Sequence, residues 1–152
     1  MPFVNALPTP LKAVFFDIDD TLFSTTAFVA RARKQAVEAM RARGLNVDAD
    51  VLLVELAAVV EEFGSNDSYH YNRLLQRLPS EATAGSNPNL LVMAGVLAYH
   101  ETKWRELQLR DETAQLLRGL AKADLRLGVI TAGLKTKQME KILRLGIDQW
   151  VD

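Results

Sequence analysis

The sequence contains no cysteine, which excludes disulfide bonds, thiolate catalysis and zinc sites built on cysteine. It has no excess of either charge, since 18 Lys and Arg stand against 19 Asp and Glu, so nothing indicates a nucleic-acid partner. The longest apolar run, from Leu90 to Tyr99, is too short to cross a bilayer, and the N-terminus lacks the pattern of a signal peptide. The sequence therefore predicts no nucleic-acid partner, no membrane partner and a cytoplasmic location.

The composition is that of an ordinary globular protein, with 49% hydrophobic and 24% charged residues. Two short apolar runs, Ala13–Asp17 and Leu125–Thr131, have the length and β-branched or aromatic content of buried strands. The near-uniform hydrophobicity of the first run favours a parallel strand that is covered on both faces. A third strand is expected to begin within Ile147–Asp152.

Helical patterns fill most of the remaining chain. Before the second strand they cover Phe28–Arg43, a helix capped by Asp48 and ended by Gly64, about Tyr71–Leu78, and a helix from Asn87-Pro88 to about Leu107. A helix capped by Asp111 precedes the second strand, and Lys135–Arg144 follows it. The inward side chains expected on these helices are Phe28, Ala32, Ala36, Met40, Leu52, Leu56, Val59, Val60, Phe63, Leu91, Ala94, Leu97, Glu101, Trp104, Leu116, Leu117 and Leu120. This alternation predicts an α/β fold with a parallel sheet and a helical insertion.

Two carboxylates, Asp17 and Asp19, follow the first strand directly, and ligands bind parallel sheets at the carboxyl ends of strands. An aspartate can attack phosphorus, and a second carboxyl group can donate and accept the protons of that reaction. The amides of residues 18 and 19 can form an anion-holding nest, and oxygen ligands here suit Mg²⁺. The alternative is that the acidic cluster only caps the following helix.

The string Val14-Phe-Phe-Asp-Ile-Asp-Asp-Thr-Leu22 resembles the first motif of the haloacid dehalogenase superfamily, and Gly128-Val-Ile-Thr-Ala-Gly133 resembles its second. The resemblance implies Asp17 as nucleophile, Asp19 as acid and base, and both as contributors to the Mg²⁺ site. Phosphate contacts are implied for Ile18, Asp19, Thr131 and Ala132. Many relatives carry Asn or Asp where this chain has Ala132, so one side-chain contact is expected to be missing.

The resemblance also implies a Rossmann-like parallel core formed by residues 1–24 and 108–152, with a helical cap over residues 25–107. The second aspartate, Asp19, favours a phosphatase over a dehalogenase, because a halide leaving group needs no proton. The substrate implied is a small phosphorylated metabolite. The loop Asn66–Tyr71, with Asp67 and His70, is expected either to line the substrate entrance or to be an ordinary solvated loop. Lys135 and Lys137 are either phosphate contacts or solvated helix residues, and the helical pattern favours the second reading.

Relatives continue with a third motif, which supplies a lysine, and a fourth, which supplies an acidic pair and a strand beside the first strand. This sequence matches neither motif, so it resembles a truncated member that is a poor enzyme by itself. Without the neighbouring strand, Val14–Ile18 is expected to form an open apolar edge through which the chain self-associates. A non-catalytic interaction or regulatory fragment is the alternative to a magnesium-dependent phosphatase.

Overall fold

The computed structural model describes residues 10–123 and 125–151. The elements, in chain order, are β1 (Ala13–Phe16), α1 (Thr25–Ala42), α2 (Ala49–Phe63), α3 (His70–Arg77), a 3₁₀ turn (Ser80–Thr83), α4 (Pro88–Glu106), α5 (Asp111–Lys122), β2 (Arg126–Val129), α6 (Lys135–Leu145) and a 3₁₀ turn (Ile147–Gln149). They form two compact units, one of Met1–Thr25 with Leu107–Asp152 and one of Thr26–Glu106. No helix in the described ranges has both the length and the apolar character needed to cross a membrane.

The first unit, called the α/β unit below, is built on two parallel strands. Phe16 of β1 is in register with Val129 of β2, and the amide of Ile130 donates to the carbonyl of Phe16 at 2.9 Å. The predicted α/β class and the parallel pairing are therefore confirmed. Side chains alternate across such strands, and one face carries the core of the unit. That core contains Ile18, Leu22, Leu107, Leu117, Leu127, Ile142, Leu145 and Ile147, with Val14, Phe16 and Val129 packed against it.

The opposite face of this sheet is open in the described part of the chain. Phe15 is 62% exposed and Ile130 is 67% exposed, because α5 and α6 both contribute to the core on the other side. The Phe15 ring lies over Gly128, where a Cβ atom would come within 2.6 Å of it. The expectation that the first strand is covered on both faces is therefore wrong for the described residues.

The expected third strand is also absent from the described residues. Ile147–Gln149 forms a 3₁₀ turn, and Asp152 lies outside the described range. Gly146 adopts the left-handed conformation (φ 64°) that ends α6, so the chain turns sharply and buries Ile147 in the core. Its apolar residues, Ile147, Trp150 and Val151, are close together in the sequence, and this pattern alone does not distinguish a strand from a buried turn.

The second unit, called the helical unit, has its own core. It contains Val37, Met40, Leu45, Leu52, Leu56, Leu74, Ala82 and Leu91. Two predicted caps are confirmed by their hydrogen bonds, since the Asp48 carboxylate accepts from the Asp50 amide at 2.8 Å and Asn87 accepts from the Asn89 amide at 3.0 Å. Gly64 ends α2 as predicted.

One predicted helix cap is wrong. Asp111 is the first residue of α5 rather than its cap, so its charge lies at the positive end of the helix dipole without a capping bond.

Several side chains that were expected to face inward are exposed. On α4 the buried stripe is Leu91, Gly95 and Thr102, while Leu97 and Trp104 are exposed. On α2, Phe63 is exposed, and the Arg73 guanidinium stacks over its ring at 3.7 Å. On α5, Leu117 is buried and Leu116 is exposed.

The core of the helical unit should depend on Leu56. We expect Leu56→Ala to lower the free energy of unfolding by about 2–5 kcal/mol, because it removes a fully buried side chain and leaves a cavity. Val54→Ala in the same helix is the matched control, since Val54 is exposed and should lose less than about 0.5 kcal/mol. Urea unfolding followed by circular dichroism at the helical signal measures both, and equal losses would contradict this assignment of the core.

In the described part of the chain the sheet has two strands, so β1 keeps a free edge, and this edge together with the open apolar face should mediate self-association. Sedimentation velocity over a concentration series should show dimers or larger species, and Phe15→Lys should shift them to monomer by placing a charge on the exposed face of β1, beside its free edge. Leu97→Lys is the control, because it adds the same charge to an exposed apolar position of the helical unit. A wild-type chain that stays monomeric throughout the series would refute this prediction.

Candidate active site

A tight turn after β1 places the first group of candidate residues. The amide of Ile18 donates to Asp17 Oδ1 at 2.7 Å, and the Ile18 side chain is fully buried. The amides of Leu22 and Phe23 both donate to the Ile18 carbonyl, which closes the turn. Asp20 sits within it at φ 56°, a conformation that Asp tolerates better than most residues. The turn leaves the Asp17 side chain exposed and holds Asp19 partly buried.

Asp19 is held by three side chains. Lys141 Nζ donates to Oδ1 at 2.5 Å, Thr25 Oγ1 donates to the same oxygen at 2.5 Å, and Gln138 Nε2 donates to Oδ2 at 3.2 Å. Gln138 and Lys141 lie one turn apart on α6, and Thr25 is the first residue of α1. Both carboxylate oxygens therefore have at least one donor from elsewhere in the fold.

These contacts determine the charge of Asp19. Partial burial by itself would raise the pKa of this carboxyl group, but hydrogen bonds from Lys141, Thr25 and Gln138, with the charge of Lys141, outweigh burial. The net effect holds the pKa of Asp19 below its usual value. Asp19 is therefore a carboxylate at neutral pH in this arrangement.

The end of β2 places the second group of candidate residues beside the first. Thr131 and Ala132 follow the strand that pairs with β1, and the Ala132 carbonyl accepts from Gln138 Nε2 at 2.8 Å. The same amide nitrogen thus joins the end of β2 to Asp19. Two buried atoms here, Thr131 Oγ1 and Gln138 Oε1, make no hydrogen bond with any residue in the described ranges.

The structure thus places all five sequence-derived candidates, Asp17, Ile18, Asp19, Thr131 and Ala132, at the carboxyl ends of two paired strands. Three further residues were missed, namely Thr25, Gln138 and Lys141. The spacing of Gln138 and Lys141 puts them on one face of α6, but only the packing of that helix shows which face meets Asp19. Lys135 and Lys137 are exposed, in agreement with their reading as solvated helix residues.

Among the described residues, the site offers few carboxylate ligands for a magnesium ion. Asp17 offers an exposed carboxylate, whereas the Asp19 carboxylate already binds an ammonium group at Oδ1. No group of three or more His, Cys, Asp or Glu side chains in residues 10–123 and 125–151 could hold a metal ion. Mg²⁺ often binds through one or two carboxylates while keeping several waters, so this donor set fits a weakly held ion.

The polar loop of the helical unit uses its side chains locally. Asp67 Oδ2 accepts from Arg73 Nε at 2.9 Å and from the amide of Tyr69 at 3.2 Å, and His70 Nε2 lies 2.8 Å from the Gly64 carbonyl. The hydrogen bond from Arg73 is the main reason that the pKa of Asp67 is lowered. These bonds connect the loop to α3 and to the end of α2, and its role at a substrate entrance stays a prediction.

Comparisons with known proteins agree with this geometry. A family model described as haloacid dehalogenase-like hydrolase matches residues 11–152. Proteins named glyceraldehyde 3-phosphate phosphatase from Pyrococcus abyssi and Methanothermobacter thermautotrophicus are 42% and 39% identical over 93% of this chain. The chain spans 58% and 61% of their lengths. A solved structure of a candidate beta-phosphoglucomutase from Thermotoga maritima shares the fold with TM-score 0.61 at 15% identity, covering 93% of this chain and 59% of that one.

Gly133 should be required for the position of Gln138. Its φ of +115° suits glycine, and a Cβ atom there would come within 2.9 Å of Gln138 Nε2. We expect Gly133→Ala to destabilise the chain by more than Gly64→Ala does. Gly64 also has a positive φ, but a Cβ there meets nothing within 4 Å, so Gly64→Ala reports backbone strain alone, about 1–3 kcal/mol. Thermal unfolding of both variants measures the difference. Equal losses of stability would show that the Gln138 side chain can move away from the added methyl group at no cost.

Proposed function

Because the chain belongs to the haloacid dehalogenase-like hydrolase family, we propose that it supplies the nucleophile and the phosphate contacts of a phosphomonoester hydrolase. The observation that carries the proposal is the meeting of Asp17 and Asp19 with Thr131 and Ala132 at the ends of paired parallel strands. Carboxylates and phosphate-binding groups at one strand end are what phosphoryl transfer to an aspartate requires.

The proposed reaction has two steps. An Asp17 carboxylate oxygen attacks phosphorus and forms an aspartyl phosphate, while the ester oxygen leaves with a proton from Asp19. Asp19 is a carboxylate in the free chain, so it has to take up this proton from solvent when substrate binds, and the negative charge of the nearby phosphate would favour that uptake. Asp19, now a carboxylate, accepts a proton from water as that water attacks the aspartyl phosphate. Inorganic phosphate leaves and the Asp17 carboxylate is restored. The exposure of Asp17 and the partial burial of Asp19 support this division of roles, because the nucleophile must reach the substrate.

Phosphate oxygens would be bound by the amides of Ile18 and Asp19 and by the groups at the end of β2. The buried hydroxyl of Thr131 supports this assignment, because it makes no hydrogen bond with any described residue. Burying a hydroxyl without a hydrogen-bond partner costs about 1–3 kcal/mol of stability, and a bound phosphate oxygen would accept the missing bond. Ala132 adds only backbone groups, and its carbonyl already accepts from Gln138. Specificity for the remainder of the substrate therefore has to come from other residues.

A magnesium ion would be held by Asp17 and Asp19, and it would supply positive charge against the phosphate oxygens. Substrate phosphate would complete its ligands, as is common for Mg²⁺ in phosphoryl-transfer sites. A cytoplasmic location and a single small substrate are in keeping with such a reaction and form part of the proposal.

Glyceraldehyde 3-phosphate is the substrate to test first. The relatives from Pyrococcus abyssi and Methanothermobacter thermautotrophicus are named for that phosphatase activity. Since the chain covers only about three-fifths of their lengths, activity and substrate are both proposals for it. A triose phosphate belongs to the class of small phosphorylated metabolites that the sequence predicts.

Hydrolysis of glyceraldehyde 3-phosphate and of p-nitrophenyl phosphate should need Asp17 and magnesium. We expect Asp17→Asn to abolish the release of phosphate, because an amide is not a nucleophile, and chelation by EDTA to do the same. Asp20→Asn is the matched control, since Asn also tolerates the positive φ at that position and should keep most of the activity.

A phosphate-release assay on the wild type, Asp17→Asn and Asp20→Asn decides the proposal. Activity that depends on Asp17 and Mg²⁺ supports it. Wild-type release equal to that of Asp17→Asn contradicts it for this chain. Equal losses in Asp17→Asn and Asp20→Asn would assign the effect to the fold of the turn rather than to the nucleophile.

A further inference from the structure

We infer that Gln138 and Lys141 of α6 are positioning residues that fix the carboxylate of Asp19 for proton transfer. This inference rests on the proposed function, because it assigns Asp19 a proton to deliver and to receive. It concerns two residues that the motif matches at the ends of β1 and β2 do not include. In this arrangement α6 orients the carboxylate of Asp19, whereas Asp17 and the phosphate contacts are positioned by the ends of β1 and β2.

The contact of Lys141 with Asp19 is more than a surface ion pair. The two side chains are 16% and 32% exposed, and their charged atoms lie 2.5 Å apart although 122 positions separate them in the sequence. Exposed ion pairs are worth about 0–1 kcal/mol because water screens them and long side chains must be ordered. Burial weakens that screening, so Lys141 can restrict the rotation of the Asp19 carboxylate more strongly than a solvated lysine would.

The orientation of Gln138 is fixed by its partners. Its Nε2 faces two acceptors, Asp19 Oδ2 and the Ala132 carbonyl, so exchanging the amide nitrogen and oxygen would place an oxygen against two oxygens. The side chain is 6% exposed, and its Oε1 is buried with no partner in the described part of the chain. An apolar residue would fill this position without that cost. The cost of the orphan oxygen is offset by what the nitrogen does, which is to hold Asp19 relative to the end of β2.

Together these donors restrain Asp19 from several directions. Lys141 and Thr25 bind Oδ1, and Gln138 binds Oδ2, so the plane of the carboxylate is set by α6 and by the start of α1. General acid and base catalysis depends on such restraint, because the donor must lie within about 2.6–3.2 Å of the reacting oxygen. Loss of either residue of α6 should therefore impair the steps that need a proton more than those that do not.

The first test compares leaving groups. In the hydrolysis of glyceraldehyde 3-phosphate the leaving group is the glyceraldehyde alkoxide, which must be protonated, whereas p-nitrophenolate leaves p-nitrophenyl phosphate without a proton. The value of kcat/KM reports the step in which each ester bond breaks. We expect Lys141→Met and Gln138→Leu to lower kcat/KM for the alkyl ester about tenfold or more, which is part of the roughly 10²–10⁴-fold that general acid catalysis contributes. The loss on p-nitrophenyl phosphate should be much smaller, and Lys141→Arg should restore part of the difference.

The controls are Lys122→Met and Gln115→Leu on α5, which make the same chemical changes at exposed positions. They should leave both substrates unaffected. Equal losses on both substrates in the α6 variants would overturn the inference, since a general structural defect does not distinguish leaving groups. If the wild type shows no activity that depends on Asp17, the proposed function fails instead, and the two failures are thus told apart.

A second measurement tests the contact without activity. In the ¹⁵N-labelled 152-residue chain, the side-chain amide of Gln138 should exchange with water more slowly than that of Gln115, and Asp19→Asn should shift the resonances of Gln138 and of the Lys141 ammonium group. Slow exchange together with those shifts supports the inference. The inference would be overturned if the Gln138 amide exchanged as fast as that of Gln115 and its resonances did not shift in Asp19→Asn. This outcome would hold whether or not the chain is active.

Discussion

The candidate site depends on one pairing, the parallel register of β1 and β2. Phe16 and Val129 are register partners, so the residues after each strand come to the same end of the sheet. Parallel pairing cannot be made by a hairpin, and here the crossover between the strands contains the whole helical unit as well as α5. A chain this long between two four-residue strands makes the pairing entropically costly, so the apolar core beneath them has to compensate.

That core is built on one side only, which gives the α/β unit an asymmetric sheet. Val14, Phe16 and Val129 pack toward α5 and α6, whereas Phe15 and Ile130 point to the open face. The same alternation explains why the sequence could not reveal the asymmetry, since both faces of these strands carry apolar side chains. Covering this apolar face, by another segment or by a second copy of the chain, would remove Phe15 and Ile130 from water and is therefore energetically favourable.

The sequence was sufficient at three helix ends, where local chemistry decides the outcome. Asp48, Asn87 and Gly64 could be identified as helix ends because each makes its own cap or stop. It was insufficient wherever packing decides. Leu116 and Leu117 are neighbours on α5 with the same chemistry, and only their contacts bury one and expose the other. Ile147–Gln149 was wrongly taken for a strand because its apolar content does not distinguish a buried turn from an extended segment.

The same limit applies to the site. Asp17, Asp19 and Thr131 could be proposed as site residues because they follow strands directly. Lys141 could not be distinguished in the sequence from the other basic residues of α6. Sequence proximity pointed to Lys135 and Lys137, which follow the second motif at once but begin the helix on its exposed side. Lys141 lies one turn beyond Lys137, offset from it by only about 40° around the helix on the side toward Gln138, and only the packing of α6 shows that this offset brings it to Asp19.

Lys141 also constrains how a metal could use Asp19. An ammonium group at 2.5 Å from Oδ1 and a divalent cation on the same oxygen would repel each other strongly in a partly buried site. Backbone carbonyl oxygens are ordinary magnesium ligands, so the main chain of Asp19 could bind the ion while its side chain binds Lys141. The arrangement therefore favours separate roles for the two groups of Asp19. Its side chain, held by Gln138 and Lys141 of α6, would donate and accept protons. The ion would then rest on the exposed carboxylate of Asp17, on backbone oxygen and on the phosphate itself.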